Sequence, residues 1–274
     1  MAGYKFRISC GKSFLLVVIL AGLGNTCWAD DEAEKLAIDI DATYVSKYIW
    51  RGYDLFDDHA AFQPSMNLDI FDTGFSVNFW GSIPMGSGSN VHEMVTDGIN
   101  MLQEYDYTFA YSTSLFEDQP YALDLGVNYI YYDFPKVNSK AIPDTQEVGI
   151  SIALPNLIKI GDIALVPSYY SGKLWPTDSH LGFDVAGGYH SFALGYDLPI
   201  PKTEYALSLS ADINYNDGMF GADHDWSHAT LGISTGIAAG PMTITPFINY
   251  QISMDESVND EDEVYGGVSV SMSF

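Results

Sequence analysis

Asp223, His224, Asp225 and His228 crowd two carboxylates and two imidazoles into one short stretch, the donor types that a divalent metal takes. Their spacing matches no defined metal motif, so they are weak candidates, and neither a metal nor any other cofactor is expected. Three serine–histidine neighbours, Ser179-His180, His190-Ser191 and Ser227-His228, supply the nucleophile and base that a lipid hydrolase needs. Adjacent residues of a strand point to opposite faces and no recognisable motif surrounds these pairs, so no enzyme is expected; a lipid hydrolase is the alternative from that class. The larger set is acidic. Asp39, Asp41, Asp69, Glu104, Asp106, Asp124, Glu147, Asp184 and Asp212 recur on the polar face of alternating segments, against Lys47 and Arg51 of the opposite sign. Carboxylates arranged around a bore favour cations. Lys47 and Arg51, four residues apart on one face, either form the positive side of a constriction or pair with neighbouring acids.

What must position these groups is a set of strands. Twelve segments alternate apolar and polar residues with a period of two, the pattern of a half-buried strand. They are 37–51, 61–70, 75–83, 103–115, 121–132, 146–154, 163–170, 181–198, 205–215, 228–237, 242–252 and 264–274. In the eighth, Phe183, Val185 and Tyr189 are odd while Phe192, Leu194 and Tyr196 are even, which asks for a β-bulge at Gly187-Gly188. Pro64, Pro167 and Pro246 fall inside strands, where each removes a ladder hydrogen bond. Local bulges are expected there, and a count of ten strands stays open.

The connections alternate too. They are short after the second, fourth, sixth, eighth and tenth segments, and longer and acidic after the others. Short periplasmic turns and long outer loops are the pattern of a transmembrane antiparallel up-and-down β-barrel. The chain carries 19 Tyr, 15 Phe and 5 Trp. A barrel would wear those rings as interfacial girdles, with Phe75, Tyr121, Tyr196, Tyr205 and Phe274 at the short-turn ends and Tyr48, Tyr129, Tyr131, Tyr169 and Tyr250 at the long-loop ends.

The beginning of the chain fits export. Lys5, Arg7 and Lys12 precede the apolar run 14–23 and a small-residue site at Cys27-Trp28-Ala29, as in a cleaved signal peptide, 1–29. Residues 30–36 then form a short periplasmic segment and 37–274 the barrel. Both cysteines, Cys10 and Cys27, would leave with the signal peptide, so no disulfide is expected. The formal net charge of −25 excludes nucleic acid as a partner. Expected partners are outer-membrane lipid and lipopolysaccharide, small solutes or cations, and the barrel-assembly machinery, through a closing strand that ends on Phe274. Both a monomer and a homo-oligomer fit.

The exit of the first strand, Tyr44-Val45-Ser46-Lys47-Tyr48-Ile49-Trp50-Arg51-Gly52, resembles the opening of the TorF-type family of bacterial outer-membrane porins. Ser46, Tyr48, Trp50, Arg51 and Gly52 match its Ser-x-Tyr-x-aromatic-Arg-Gly motif, and Gln63-Pro64 followed by 79–82 is similar to its second hairpin. The resemblance implies an outer-membrane channel. The residues themselves lead to an outer-membrane porin-like barrel for passive diffusion of small, preferably cationic solutes. The alternative is a plugged structural or adhesive barrel that acts through its outer loops.

Overall fold

The computed structural model describes residues 36–85, 103–135, 143–160, 163–177 and 185–274. The expected signal peptide, Asp184, His92 and His180 lie outside the described residues. Twelve long strands follow one another: β1 (Ala37–Val45), β2 (Ala61–Asp69), β3 (Phe75–Pro84), β4 (Glu104–Leu115), β5 (Leu123–Asp133), β6 (Thr145–Ala153), β7 (Ile163–Pro176), β8 (Gly187–Pro199), β9 (Ala206–Asp217), β10 (His224–Ser234), β11 (Met242–Ser253) and β12 (Glu263–Ser273). Each pairs antiparallel with its neighbours in sequence, and β12 returns to β1 with Asp39 opposite Ser273 and Val45 opposite Gly267. The sheet is therefore closed, and among the described residues no long strand is left with an unpaired edge. Two short strands, Ile158–Ile160 and Ile237–Ala239, extend the ladder at the short-turn end.

Alternation sorts the side chains. Along β1, Thr43 and Val45 are buried inside while Ile40 and Tyr44 face outward. Phe109, Val127, Ile150, Leu231 and Ile248 continue the apolar outer surface around the barrel. Phe75, Tyr121 and Phe274 are exposed at the short-turn end, and at the other end outward tyrosines anchor loops: Tyr131 donates to Asp144 Oδ2 at 2.9 Å and Tyr250 to Asp262 Oδ2 at 2.6 Å. Rings in a lipid boundary with hydroxyls bonded beyond it are what a girdle requires. Tyr48 is the exception to the expected girdle; it is 1% exposed, inside the barrel.

Several local expectations are corrected. The first strand ends at Val45 rather than running to Arg51. No register shift occurs in β8, because Tyr189 points inward in phase with Ser191, so no bulge is needed at Gly187-Gly188. The shift lies between Asn214 and Tyr215, where β9 meets β10. Pro64 and Pro246 cause no bulge, but the ladder does bulge beside Pro167, as expected: Ser168 pairs with Ala153 and Leu165 with Ile158, so 154–157 stand opposite 166–167. Pro64, Pro167 and Pro246 each keep register with one neighbour, opposite Ala42, Leu194 and Val268. Each turns its missing donor toward a gap in the other ladder, and Pro167 and Pro246 still accept there from the amides of Leu154 and Thr235. The loop sorting holds with one exception: β9 and β10 run on to Asp217 and His224 and leave only 218–223 between them.

Candidate channel interior

At the long-loop end of β1 the chain turns into the barrel instead of out of it. Ile49–Trp50 and Tyr53–Asp54 pair as a small hairpin with Arg51 and Gly52 as its turn, at φ 51° and 95°. Two left-handed residues make the tight turn that matches strand twist. Arg51 is an uncommon choice for such a backbone, and its side chain is what the surroundings hold. A Cβ on Gly52 would meet His228 Nδ1 at 2.6 Å and Val258 at 2.8 Å, so the close approach at this tip requires glycine.

The hairpin docks on wall residues from most of the circumference. Arg51 Nη2 donates to both oxygens of Glu147 on β6, at 2.7 and 2.8 Å, and the pair is enclosed, Arg51 8% exposed and Glu147 not at all. Glu147 also accepts from the hydroxyls of Tyr132 on β5, at 2.8 Å, and Tyr170 on β7. The guanidinium lies between the rings of Trp50, 4.7 Å away, and Tyr189 on β8, 4.5 Å away. Tyr48 donates to Glu104 Oε2 on β4 at 2.8 Å, and Gln251 Nε2 on β11 donates to the carbonyl of Gly52 at 2.9 Å. Tyr53 donates to the carbonyl of Met219, in the short helix Met219–Gly221, at 2.9 Å. Ile49, Phe56, Tyr189 and Val258 complete a dry fill of the long-loop half.

Lys47, at the loop's base, lies among Asp54, Asp58 and Glu263, whose carboxylate oxygens come within 4.8 Å of one another. Its ammonium pairs with Asp58 and, at 2.7 Å, with Glu263. Burial by itself would lower its pKa, but these two carboxylates hold it above the ordinary lysine range. Burial also pushes the Asp54 carboxyl up, against the hydrogen bonds it accepts from the amides of Asp58 and Phe56.

Below the hairpin, toward the short turns, the lumen is lined by carboxylates and serines. Asp69 and Asp197 are exposed and Asp39, Asp41 and Asp212 half-buried, with Asp124 more enclosed. Serines opposite steady several of them: Ser273 to Asp39 at 2.5 Å, Ser114 to Asp124 at 2.7 Å, Ser208 to Asp197 at 2.6 Å, and Ser269 to Asp41. Asp39, Asp41, Asp69, Asp124 and Asp212 lie on the inward side of their strands, Glu104 and Asp106 lie in the wall beside the hairpin, and Lys47 and Arg51 belong to the inserted loop. Asp197 is a further carboxylate on the inward side, beyond those expected, and its alternation with Leu198 and Tyr196 marks its face.

The other candidate chemistry does not assemble as expected. His224 Nδ1 binds Asp217 Oδ1 at 2.7 Å, Asp225 caps the amide of Trp226, and His228 is buried away from both. His190 points outward to Tyr169 while Ser191 points inward. Ser227 and His228, expected on opposite faces, are hydrogen-bonded at 3.0 Å, since the irregularity of β10 brings both inside. The carbonyl of Asn214, 3.2 Å from the Ser227 hydroxyl, is a second acceptor for its single proton.

The model of the family Gcw_chp, described as a bacterial protein of unknown function, matches residues 31–265. The comparison thus returns this family and not the TorF-type name. No curated protein matches. Among solved structures, an outer-membrane channel from Pseudomonas putida F1 is similar with a TM-score of 0.54 at 11% identity, over 90% of this chain and 100% of that one. A KdgM porin gives 0.51 at 10% identity, over 86% and 99%. A KdgM porin in complex with disordered oligogalacturonate gives 0.50 at 7% identity, over 87% and 99%. At these identities the likeness is one of fold: a closed antiparallel barrel of the outer-membrane type.

Proposed function

The chain belongs to the Gcw_chp family, and we propose that it is a bacterial outer-membrane channel for passive diffusion of small solutes, with a preference for cations. The observation that carries this reading is the lumen, polar and acidic beneath an apolar outer surface. Among the described residues its basic side chains are Lys47 and Arg51, each already paired with carboxylates. Its short turns face the periplasm and its long loops the exterior, so loop 46–60 restricts the bore from the outer side. Outer-membrane lipid and lipopolysaccharide around the barrel, and the assembly machinery at β12, are the partners this reading carries. Refolded protein in a planar bilayer under a potassium chloride gradient is expected to give discrete steps and a cation-selective reversal potential. A silent membrane that contains the inserted barrel would favour a plugged barrel acting through its outer loops.

The Asp54 carboxyl makes the restriction pH-sensitive. Because docking raises its pKa, the docked loop binds the proton more readily than the free loop, and docking strengthens as pH falls from above the ordinary carboxylate range into it. Open probability is expected to drop on acidification. Asp54→Asn, neutral like the protonated acid but with one acceptor oxygen in place of the two that take the amides of Phe56 and Asp58, should lose the pH response; an unchanged pH response in that variant would exclude Asp54 as the sensor.

A further inference from the structure

Arg51 is held by a receptor, not merely by a neighbour. The wall contributes one side chain from each of four consecutive strands: Tyr132 from β5, Glu147 from β6, Tyr170 from β7 and Tyr189 from β8. Glu147 takes the guanidinium through both oxygens, Tyr189 covers one face, and the Tyr170 ring stands 5.7 Å from the guanidinium carbon. Tyr132 and Tyr170 orient the carboxylate by donating to it. The hollow is cut into the backbone as well. Gly149 and Gly172 face each other across β6 and β7; a Cβ on Gly172 would collide with the Glu147 carboxylate and one on Gly149 with the Tyr170 hydroxyl. Aromatic rings against a planar guanidinium discriminate it from an ammonium, which is a compact and strongly hydrated charge with no plane to stack, and the second guanidinium nitrogen, Nη1, reaches Met219 Sδ at 3.8 Å. Anchoring a hairpin by apolar contacts alone would need none of this, and enclosing a charge is costly unless it is fully matched.

We propose that Tyr132, Glu147, Tyr170 and Tyr189 form a guanidinium-binding site in the barrel wall, that Arg51 fills it as an internal ligand, and that small guanidinium-bearing solutes compete with Arg51 and release loop 46–60. The release step rests on the channel reading above; the binding step does not. Trp50 travels with Arg51, so a competing solute keeps the wall's share of the site and loses only the hairpin's.

The test uses the full barrel, folded in detergent and verified by heat-modifiable migration. Arg51→Ala empties the site, and methylguanidinium is then titrated calorimetrically beside methylammonium, which has the same charge. Saturable binding of methylguanidinium, at least about tenfold tighter than methylammonium, is expected, and it should vanish in Arg51→Ala/Glu147→Gln. No binding, or equal binding of the two cations, overturns the site. If Arg51→Ala does not fold, the unaltered protein decides: proteinase K should cut within 46–60 in methylguanidinium but not in methylammonium, and equal cutting overturns the proposal. In bilayers methylguanidinium should raise open probability above that in methylammonium at equal ionic strength, and a reproducible absence of that rise in conducting channels overturns the release step. Calorimetric binding together with a bilayer silent in every salt would overturn the channel reading and leave the binding site standing.

Discussion

Glu147→Ala is expected to expel loop 46–60 from the lumen while the barrel stays closed. The substitution leaves the Arg51 guanidinium enclosed without a counter-charge, and breaking one partner of such a pair typically costs about 3–5 kcal/mol. It also strips the acceptor from the hydroxyls of Tyr132 and Tyr170, at about 1–3 kcal/mol for each group left unsatisfied. The loop has an escape that the barrel lacks, because its remaining ties are hydrogen bonds such as Tyr48 to Glu104 and Gln251 to Gly52, the part-exposed Lys47–Glu263 pair, and the apolar contacts of Ile49 and Phe56, none of which belongs to the strand ladder. The strands keep their ladders, since none depends on the side chain of Glu147. Two readouts follow: proteinase K should cut within 46–60 in the variant but not in the parent, and single-channel conductance should rise several-fold. Protection and conductance both equal to the parent's would show that the ion pair does not hold the loop.

A second large effect concerns the outer surface. Ile150, 48% exposed near the middle of β6, has Val127 of β5 beside it in the same apolar belt. Ile150→Arg should destabilise the folded barrel by about 2–4 kcal/mol, the penalty for a cation on the lipid face near the bilayer midplane. The urea midpoint for folding into vesicles would fall, and the heat-modifiable band would be lost at denaturant levels the parent withstands. Ser210→Arg, on an inward position of β9 two residues from Asp212, supplies the contrast. It should fold normally and shift the reversal potential toward anions. Equal tolerance of both substitutions would contradict the assignment of faces.

The strands were legible because period-two alternation reports directly which face meets lipid, and the acids of the polar face followed from the same count. What stayed hidden came from aromatic residues that serve either side. Tyr189 reads as a lipid-facing ring, and treating it so demanded a bulge that the ladder does not contain; it is a partner of Arg51 instead. The alternation of 37–51 runs unbroken through Tyr48 and Trp50, so periodicity alone continues the strand. Only Arg51-Gly52, a pair suited to a left-handed turn, hints that the chain reverses there. Pro64 and Pro246 misled for a related reason: a barrel strand has two neighbours, and a missing donor needs a gap on one side only, whereas at Pro167 the expected bulge is present. Pairing of Lys47 and Arg51 with acids could be foreseen, but not that Glu147 would be the partner, because choosing among many inward carboxylates requires the fold of the loop.

Pairing of β1 with β12 also orders events in time. The first strand waits for the last before it has its second neighbour, and the hairpin that follows it finds Glu147, Tyr189 and Gln251 only on strands made afterwards. Such distant partners delay structure formation, since chain entropy is lost before contacts compensate for it. The hairpin that restricts the lumen is therefore synthesised before the strands it docks on, and its docking reports that the cylinder around it has been completed.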